Sequence, residues 1–195
     1  EDLNLHIFEE KYKQLTRDCF EQKKMFGIPV VINNKMQELG TLLEIVEITK
    51  QYPGGEMDIK TQGKKVFRML EVIESVPDKL YSGAIVNYPH NHEHGKRLLM
   101  NKVIESTKQL HKMLKVEKKL HKNEEDLWSY DLAHTVGFTL EEEYELLSLM
   151  NELQRQEYLK RHLAKVIPVV AEMESLKEKI KLNGHFKNIS GFNLS

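Results

Sequence analysis

Several features that commonly reveal a protein's chemistry are scarce or missing in this sequence. Cys19 is its single cysteine, so an internal disulfide cannot form, and we expect a reducing compartment, the cytoplasm. No stretch approaches the roughly 18 consecutive apolar residues that a membrane-spanning helix needs, and no basic-then-apolar leader is visible. We therefore expect neither a membrane span nor a secretory signal. With 195 residues, 40% of them apolar, the chain can bury one sizeable core or two smaller ones.

The motifs of common catalytic sites are also missing. The sequence has no Gly-rich phosphate loop ending in Lys and Ser or Thr, no G-x-S-x-G turn and no H-E-x-x-H pair. Its ten glycines are scattered through predicted strands and turns, which leaves little room for a nucleotide-binding loop. We therefore expect a binding protein without a cofactor, and not an enzyme.

The first half of the chain has the chemistry of short strands. After an apolar stretch at 3–8, Tyr12, Leu15 and Cys19 follow at helical spacing, and Gly27 is suited to ending that helix. Pro53 followed by glycine predicts a hairpin turn over 52–55, because proline presets φ and glycine tolerates positive φ. Segments rich in Val, Ile and Tyr, or alternating apolar with polar residues, predict five strands, at 28–32, 41–49, 56–61, 66–73 and 80–88.

The second half, after Glu93, has helical periodicity. One stripe of a first helix carries Leu99, Val103, Leu110 and Leu114. Thr139 and Glu142 resemble a capping box that opens another helical run, which continues to Leu182.

Three residues are expected to interrupt or end that run. Pro168 predicts a kink or short break, and Asn183 with Gly184 predicts the end of the helix. The sequence thus predicts an α+β fold, with a strand subdomain at 1–90, a helical subdomain at 91–184 and a polar tail at 185–195.

Histidines and the single cysteine are the residues that suggest reactive chemistry. His90, His92 and His94 alternate, so an extended chain would project them to one side as weak candidate metal ligands; the alternative is a solvated linker. Cys19 paired with His6 could suggest a nucleophile and its base. Since Cys19 continues the Tyr12 and Leu15 stripe, we interpret it as a core residue.

The segment 96–122 is strongly basic and keeps a nucleic-acid hypothesis open. Its cations could follow a phosphate backbone, although no aromatic residues are interleaved for base stacking. The next segment, 124–145, is acidic and has no Lys or Arg, so neighbouring helices could neutralise one another. Charge reversal at Lys112 and Lys115 would test RNA binding, which we keep as the alternative function.

One motif near the start is more specific than the rest. The segment 5–12 matches L-x-I-F-E-x-R-Y, with Leu5, His6, Ile7, Phe8, Glu9, Glu10, Lys11 and Tyr12. Later features follow in the same order as in that motif's family. They are Gly27 and Ile28 after the first helix, Gly40 and Thr41 at the start of a strand, the turn at 53–55, Gly63 before a strand at 66–69, and then Tyr81 and Ala84. In these features the chain resembles the N-terminal domain family of Lon ATP-dependent proteases, particularly its short standalone bacterial members.

The resemblance implies a fold and a function. The implied fold is a small PUA-like β-barrel with an embedded helix, packed against a helical bundle. In the protease this region captures unfolded or tagged protein substrates, while other domains hydrolyse ATP and cut peptides. Two departures are visible: Lys11 replaces the family's usual Arg, which puts a bidentate ion pair in doubt, and the family's first strand is expected upstream of residue 1.

We therefore hypothesise a non-catalytic module that binds unfolded or tagged polypeptides and delivers them to a separate protease or chaperone. The polypeptide could add as a strand to an edge of the barrel or lay apolar side chains into a groove between the subdomains. For each candidate residue, burial in the core is the structural alternative. The candidate contact residues are His6, Phe8, Tyr12, Phe67 and Tyr81.

Overall fold

The computed structural model describes residues 2–116 and 122–189, and side chains of the last helix as far as 181. The chain forms two compact units, one of residues 1–91 with 139–150 and the other of residues 92–138 with 151–195. The sequence pattern places 139–150 with the helical subdomain, whereas packing assigns this segment to the first unit. In chain order the elements are β1 (Asp2–Ile7), α1 (Glu10–Gln22), β2 (Phe26–Ile32), β3 (Lys35–Gln51), β4 (Met57–Ile73), β5 (Gly83–Asn87), α2 (Arg97–Leu114), α3 (Ser129–Leu132), α4 (Leu140–Ser148) and α5 (Glu152–Ile189).

The first unit is built on one antiparallel sheet with the strand order β1-β4-β3-β2. The long strand β4 pairs with β1 through its first residues and with β5 through its last ones. Among the described residues, β2 has no pairing with β1 or β5 that would close the sheet. The α+β class is confirmed, whereas the predicted closed barrel is not.

The strands differ from their predicted bounds because bulges let them continue. The predicted strands at 56–61 and 66–73 form the single strand β4. The register shift opposite Leu42 and Leu43 leaves Lys64 as an extra residue, so the strand continues past Gly63 instead of stopping there. β1, which the sequence analysis did not count as a strand, pairs residue for residue with β4.

Gly27 and Gly40 leave space for a buried ring of the sheet, and neither has the role predicted for it. Helix α1 ends at Gln22, where Lys23 takes a left-handed conformation, so the prediction that Gly27 ends the helix is wrong. β3 begins at Lys35, so Gly40 does not open that strand. An added Cβ would lie 2.8 Å from the Phe67 ring at Gly27 and 2.4 Å from it at Gly40. Both glycines make room for that buried ring.

The second unit packs helix α2 against helix α5. Leu99, Val103 and Leu110 of the predicted stripe are buried, whereas Leu114 at the end of α2 is exposed. Of the predicted kink or short break at Pro168, the break is wrong, because α5 runs through this residue. It also continues past Asn183 and Gly184 to Ile189, so the predicted stop is wrong. Glycine costs a helix only about 1 kcal/mol, which does not force it to end.

The capping box that opens α4 is confirmed. The Thr139 hydroxyl accepts a hydrogen bond from the Glu142 N–H at 3.2 Å, and the Glu142 carboxylate accepts one from the Thr139 N–H at 2.9 Å. The helical run that follows is divided, because α4 ends at Ser148 and α5 begins at Glu152. The end of the predicted tail, 190–195, lies outside the described residues.

Candidate functional site

A row of polar side chains crosses three strands of the sheet. His6 of β1 lies opposite Asp58 of β4, which lies opposite Lys50 of β3. His6 Nδ1 is 2.6 Å from Asp58 Oδ1, and the Tyr52 hydroxyl donates to Asp58 Oδ2 at 2.8 Å. These two hydrogen bonds hold the pKa of Asp58 below its ordinary value, and the one from His6 has the larger effect. The Asp58 carboxylate therefore fixes both rings in place.

Aromatic rings gather on this face of the sheet. Phe8 is 62% exposed and stacks on His6 with 6.2 Å between ring centroids, while Tyr52 meets His6 edge-on at 5.7 Å. Phe8 lies just beyond the end of β1 at Ile7, and the stacking of its ring on His6 places both side chains on the same side. We call His6, Phe8 and Tyr52 the aromatic surface. It presents a large ring to solvent on a support that hydrogen bonds hold.

A buried lysine fixes the elements that flank the aromatic surface. Lys13 of α1 is almost fully buried, and its Nζ donates to the Gly54 carbonyl oxygen at 2.9 Å and to Glu10 Oε1 at 3.0 Å. The turn it contacts was predicted, but its positive φ falls on Gly55 and not on Gly54, the residue after Pro53. The ammonium group thus ties α1 to the β3–β4 turn. Phe8 lies between β1 and α1, so both of its neighbouring elements are anchored.

Sequence reasoning did not find Lys13, Tyr52 or Asp58 as parts of this site. Lys13 lies outside the predicted stripe of Tyr12, Leu15 and Cys19, and its burial beside Thr16 and Cys19 is visible only in the structure. A lysine on a buried stripe requires partners for its charge. The roles of Tyr52 and Asp58 depend on strand register, which no local sequence pattern predicts.

Tyr12 is exposed beside the aromatic surface but has a different partner. Its ring is 42% exposed and lies under the Lys11 ammonium, which is 4.7 Å from the ring centroid. Lys11 Nζ also lies 3.1 Å from Glu9 Oε2, and this hydrogen bond is the main cause that raises the Lys11 pKa. Lys11 therefore makes a single-point ion pair with Glu9 in the position where the family motif has Arg.

Phe67 and Tyr81 have structural surroundings. Phe67 is 4% exposed in the sheet core. The Tyr81 hydroxyl donates to Asp18 Oδ2 at 2.7 Å, and Lys79 Nζ donates to the same oxygen. Desolvation and this hydrogen bond raise the pKa of Tyr81 to about 12. Tyr81 therefore holds its loop on helix α1, and we leave both residues out of the aromatic surface.

The metal and nucleophile hypotheses gain no support. In 2–116 and 122–189, no group of three or more His, Cys, Asp or Glu side chains is placed to hold a metal ion. The His92 carbonyl oxygen accepts a hydrogen bond from the Glu152 N–H at 2.8 Å, so this part of the segment 90–94 is ordered against α5. Cys19 is buried as interpreted, and burial raises the pKa of its thiol, which opposes a reactive thiolate.

The basic segment finds acidic and carbonyl partners. Arg97 donates to the Glu124 and Glu125 carbonyl oxygens, Lys108 pairs with the Glu124 carboxylate, and Lys122 pairs with Asp131 at 2.8 Å. Residues 117–121 of the segment lie outside the described residues. Acidic neighbours thus neutralise part of the charge, and none of the contacts that the described part of this segment makes favours RNA binding.

Comparison with known proteins gives the family. Residues 2–165 match the family model of the ATP-dependent protease La (LON) substrate-binding domain. The chain belongs to this family. A search of curated proteins found no match. No helix of the described residues is long and apolar enough to cross a membrane.

Two solved structures of Lon domains share the fold. A Lon N-terminal domain protein from Xanthomonas campestris is 19% identical, with a TM-score of 0.58 over 82% of this chain and 88% of that one. The N-terminal domain of the Mycobacterium avium complex Lon protease is 12% identical, with a TM-score of 0.55 over 84% and 90% of the two chains. The Lon substrate-binding fold is therefore present here with a largely different sequence.

Proposed function

We propose that this member of the Lon substrate-binding family is a non-catalytic recognition module that binds unfolded or tagged polypeptides through its aromatic surface. The observation that carries the proposal is the exposure of Phe8 on a support that is otherwise fixed. Exposed aromatic rings on rigid supports are typical anchors of protein interfaces, because they bury a large area at little cost in conformational entropy. The family description, a substrate-binding domain, supports the same function.

The expected affinity follows from the size of the surface. Burying one phenylalanine side chain contributes about 1.5 to 3 kcal/mol, and the flanking rings add less because they are partly covered already. A site with one main anchor binds weakly, in roughly the micromolar to millimolar range, unless several contacts act together. Weak, reversible capture suits a module that passes polypeptides to a separate protease or chaperone in the cytoplasm, the role we propose.

A binding titration with one matched control tests the function. The probe is fluorescein-labelled lysozyme, reduced and carboxymethylated so that it stays unfolded, and binding is followed by fluorescence anisotropy. Phe8→Ala should weaken binding roughly 10- to 100-fold, the equivalent of about 1.5 to 3 kcal/mol. Phe20→Ala is the control, because Phe20 is also exposed but lies at the other end of α1.

Two results would count against the proposal. One is equal binding by the wild type and the Phe8→Ala variant. The other is equal binding of native, disulfide-bonded lysozyme, because a folded protein offers no extended apolar segment. Loss of binding in the Phe20→Ala variant alone would move the site along α1.

A further inference from the structure

We propose that Lys50 selects polypeptide segments that carry a carboxylate a few residues from their aromatic anchor. The inference rests on the proposed function and assigns a substrate class to the same site. The anchor contacts Phe8 at one end of the aromatic surface, and the carboxylate pairs with the Lys50 ammonium group at the other end. The occupant is therefore an acidic segment with an aromatic residue, and basic segments are disfavoured.

Strand pairing places Lys50 beside the aromatic surface. Asp58 of β4 lies opposite His6 of β1 and also opposite Lys50 of β3. Side chains of directly paired residues project from the same face of a sheet, so Lys50 shares the face of His6. Its Nζ lies over the Tyr52 ring, 4.3 Å from the ring centroid. The row that begins at Phe8 with an apolar ring thus ends at Lys50 with a positive charge.

The ammonium group of Lys50 is held in place without being neutralised. An aromatic ring attracts a cation that lies over its face, and this restricts the exposed Lys50 side chain. Asp58, the acid opposite, already uses one carboxylate oxygen for His6 and the other for the Tyr52 hydroxyl. In residues 2–116 and 122–189, no carboxylate forms an ion pair with Lys50. A carboxylate from a bound segment can therefore pair with it.

Two other lysines near the aromatic surface already have acidic partners. Lys11 Nζ lies 3.1 Å from Glu9 Oε2, and Lys60 Nζ lies 3.4 Å from Asp2 Oδ2. A ligand carboxylate must compete with the existing partner at either of these lysines, whereas at Lys50 it meets no competitor. Of the three cations, Lys50 therefore has the strongest influence on which segments bind.

The length of the row defines where the carboxylate lies in the segment. Neighbouring strands are about 4.8 Å apart, so Lys50 on β3 lies about 10 Å from His6 on β1. An extended chain advances about 3.3 Å per residue, and every second side chain lies on the same side. Side chains two and four residues from the anchor therefore face the sheet and come within reach of Lys50.

Three peptides with a common anchor test the charge preference. Each is a fluorescein-labelled, C-terminally amidated nonapeptide with a central Phe, Thr at the even positions, and Glu, Gln or Lys at the remaining odd positions. Binding is followed by fluorescence anisotropy at about 0.15 M salt, where screening confines the effect of a charge to roughly 8 Å. A partly exposed ion pair changes affinity by about 2- to 5-fold. The Glu peptide should bind more tightly than the Gln peptide by that factor, and the Lys peptide more weakly by a similar one.

Variants of Lys50 separate its charge from the charge of the whole protein. Lys50→Gln should bind the three peptides within about 2-fold of one another, and Lys50→Glu should reverse their order. Lys60→Gln is the matched control, because Lys60 lies two residues from Asp58 on the same face of β4 and has Asp2 as its partner. It removes the same charge and should keep the wild-type order. Thermal unfolding checks each variant, and Lys50→Gln remains decisive if Lys50→Glu is unstable.

The outcomes distinguish this inference from the proposed function. Equal binding of the three peptides by the wild type, still weakened by Phe8→Ala, would overturn the selection of carboxylates but not the proposed function. A preference for the Glu peptide that persists in Lys50→Gln would overturn the role of Lys50. Failure of the three peptides and of unfolded lysozyme to bind would overturn both proposals.

Discussion

The buried carboxylate of Glu152 offers the sharpest test of how the second unit is held together. Glu152 is fully buried at the start of α5. Its Oε2 accepts from the Ser129 hydroxyl at 2.6 Å and from Arg155 Nε at 3.0 Å. Its Oε1 accepts from the Ser129 N–H and from Gln156 Nε2, both at 3.1 Å. One carboxylate thus joins α3 to α5 and neutralises a buried guanidinium group.

Glu152→Gln changes little in shape and much in electrostatics. The NH₂ group of glutamine is itself a donor. In the position of Oε2 it would face the donors of Arg155 and Ser129, and in the position of Oε1 it would face those of Ser129 and Gln156. Arg155, which is 1% exposed, also loses its buried counter-charge. Removing one partner of a buried ion pair costs about 3 to 5 kcal/mol. That is a large part of the roughly 5 to 15 kcal/mol that stabilises a typical domain.

Urea unfolding followed by fluorescence can measure this cost. Trp128 is the only tryptophan and is next to Ser129, so its emission reports on the second unit. The control is Glu157→Gln, because Glu157 is partly exposed in the same helix and pairs with Lys160 at 3.2 Å; it should cost less than about 0.5 kcal/mol. A loss below about 1 kcal/mol for Glu152→Gln, or equal losses for both variants, would refute the account of the buried network.

Three further predictions concern other parts of the chain. Gly40→Ala should destabilise the sheet by about 1 to 3 kcal/mol or more, because the added Cβ would lie 2.4 Å from the Phe67 ring and 2.5 Å from a carbonyl oxygen of β2; wild-type stability in urea would contradict this packing. The pKa of Tyr81 is raised from 10.0 to about 12, so the stabilisation from its hydroxyl is complete below pH 10 and is lost as the pH rises towards 12. The Tyr81→Phe variant lacks the hydrogen bond to Asp18. The difference in unfolding free energy between it and the wild type should therefore shrink between pH 10 and pH 12, and a constant difference would disprove the coupling between this hydroxyl and stability. Pro168→Ala should restore an N–H inside α5 and raise helix content by circular dichroism and stability by up to about 3 kcal/mol, and a loss of either would show that the proline is needed there.

The sequence alone determined the features that depend on nearby residues. The Leu5–Tyr12 motif identified the family, and the Thr139 capping box, the turn at 52–55 and the α2 stripe were each predicted from a few neighbouring positions. In these cases the physical cause is local: a side chain bonding its own backbone, a dihedral preference, or a helical period. His6 and Phe8 could be selected for the same reason, because they lie within the motif.

Tertiary structure decided the features that depend on residues far apart in the chain. Strand register places Asp58 opposite His6, 52 residues away, and so creates the aromatic surface. The roles of Gly27 and Gly40 depend on the ring of Phe67 from another strand, which is why their sequence context suggested a helix end and a strand start instead. Only the assembled sheet shows that β1 and β2 are the two ends of the strand order β1-β4-β3-β2 among the described residues, because a position in that order is not a property of any single strand.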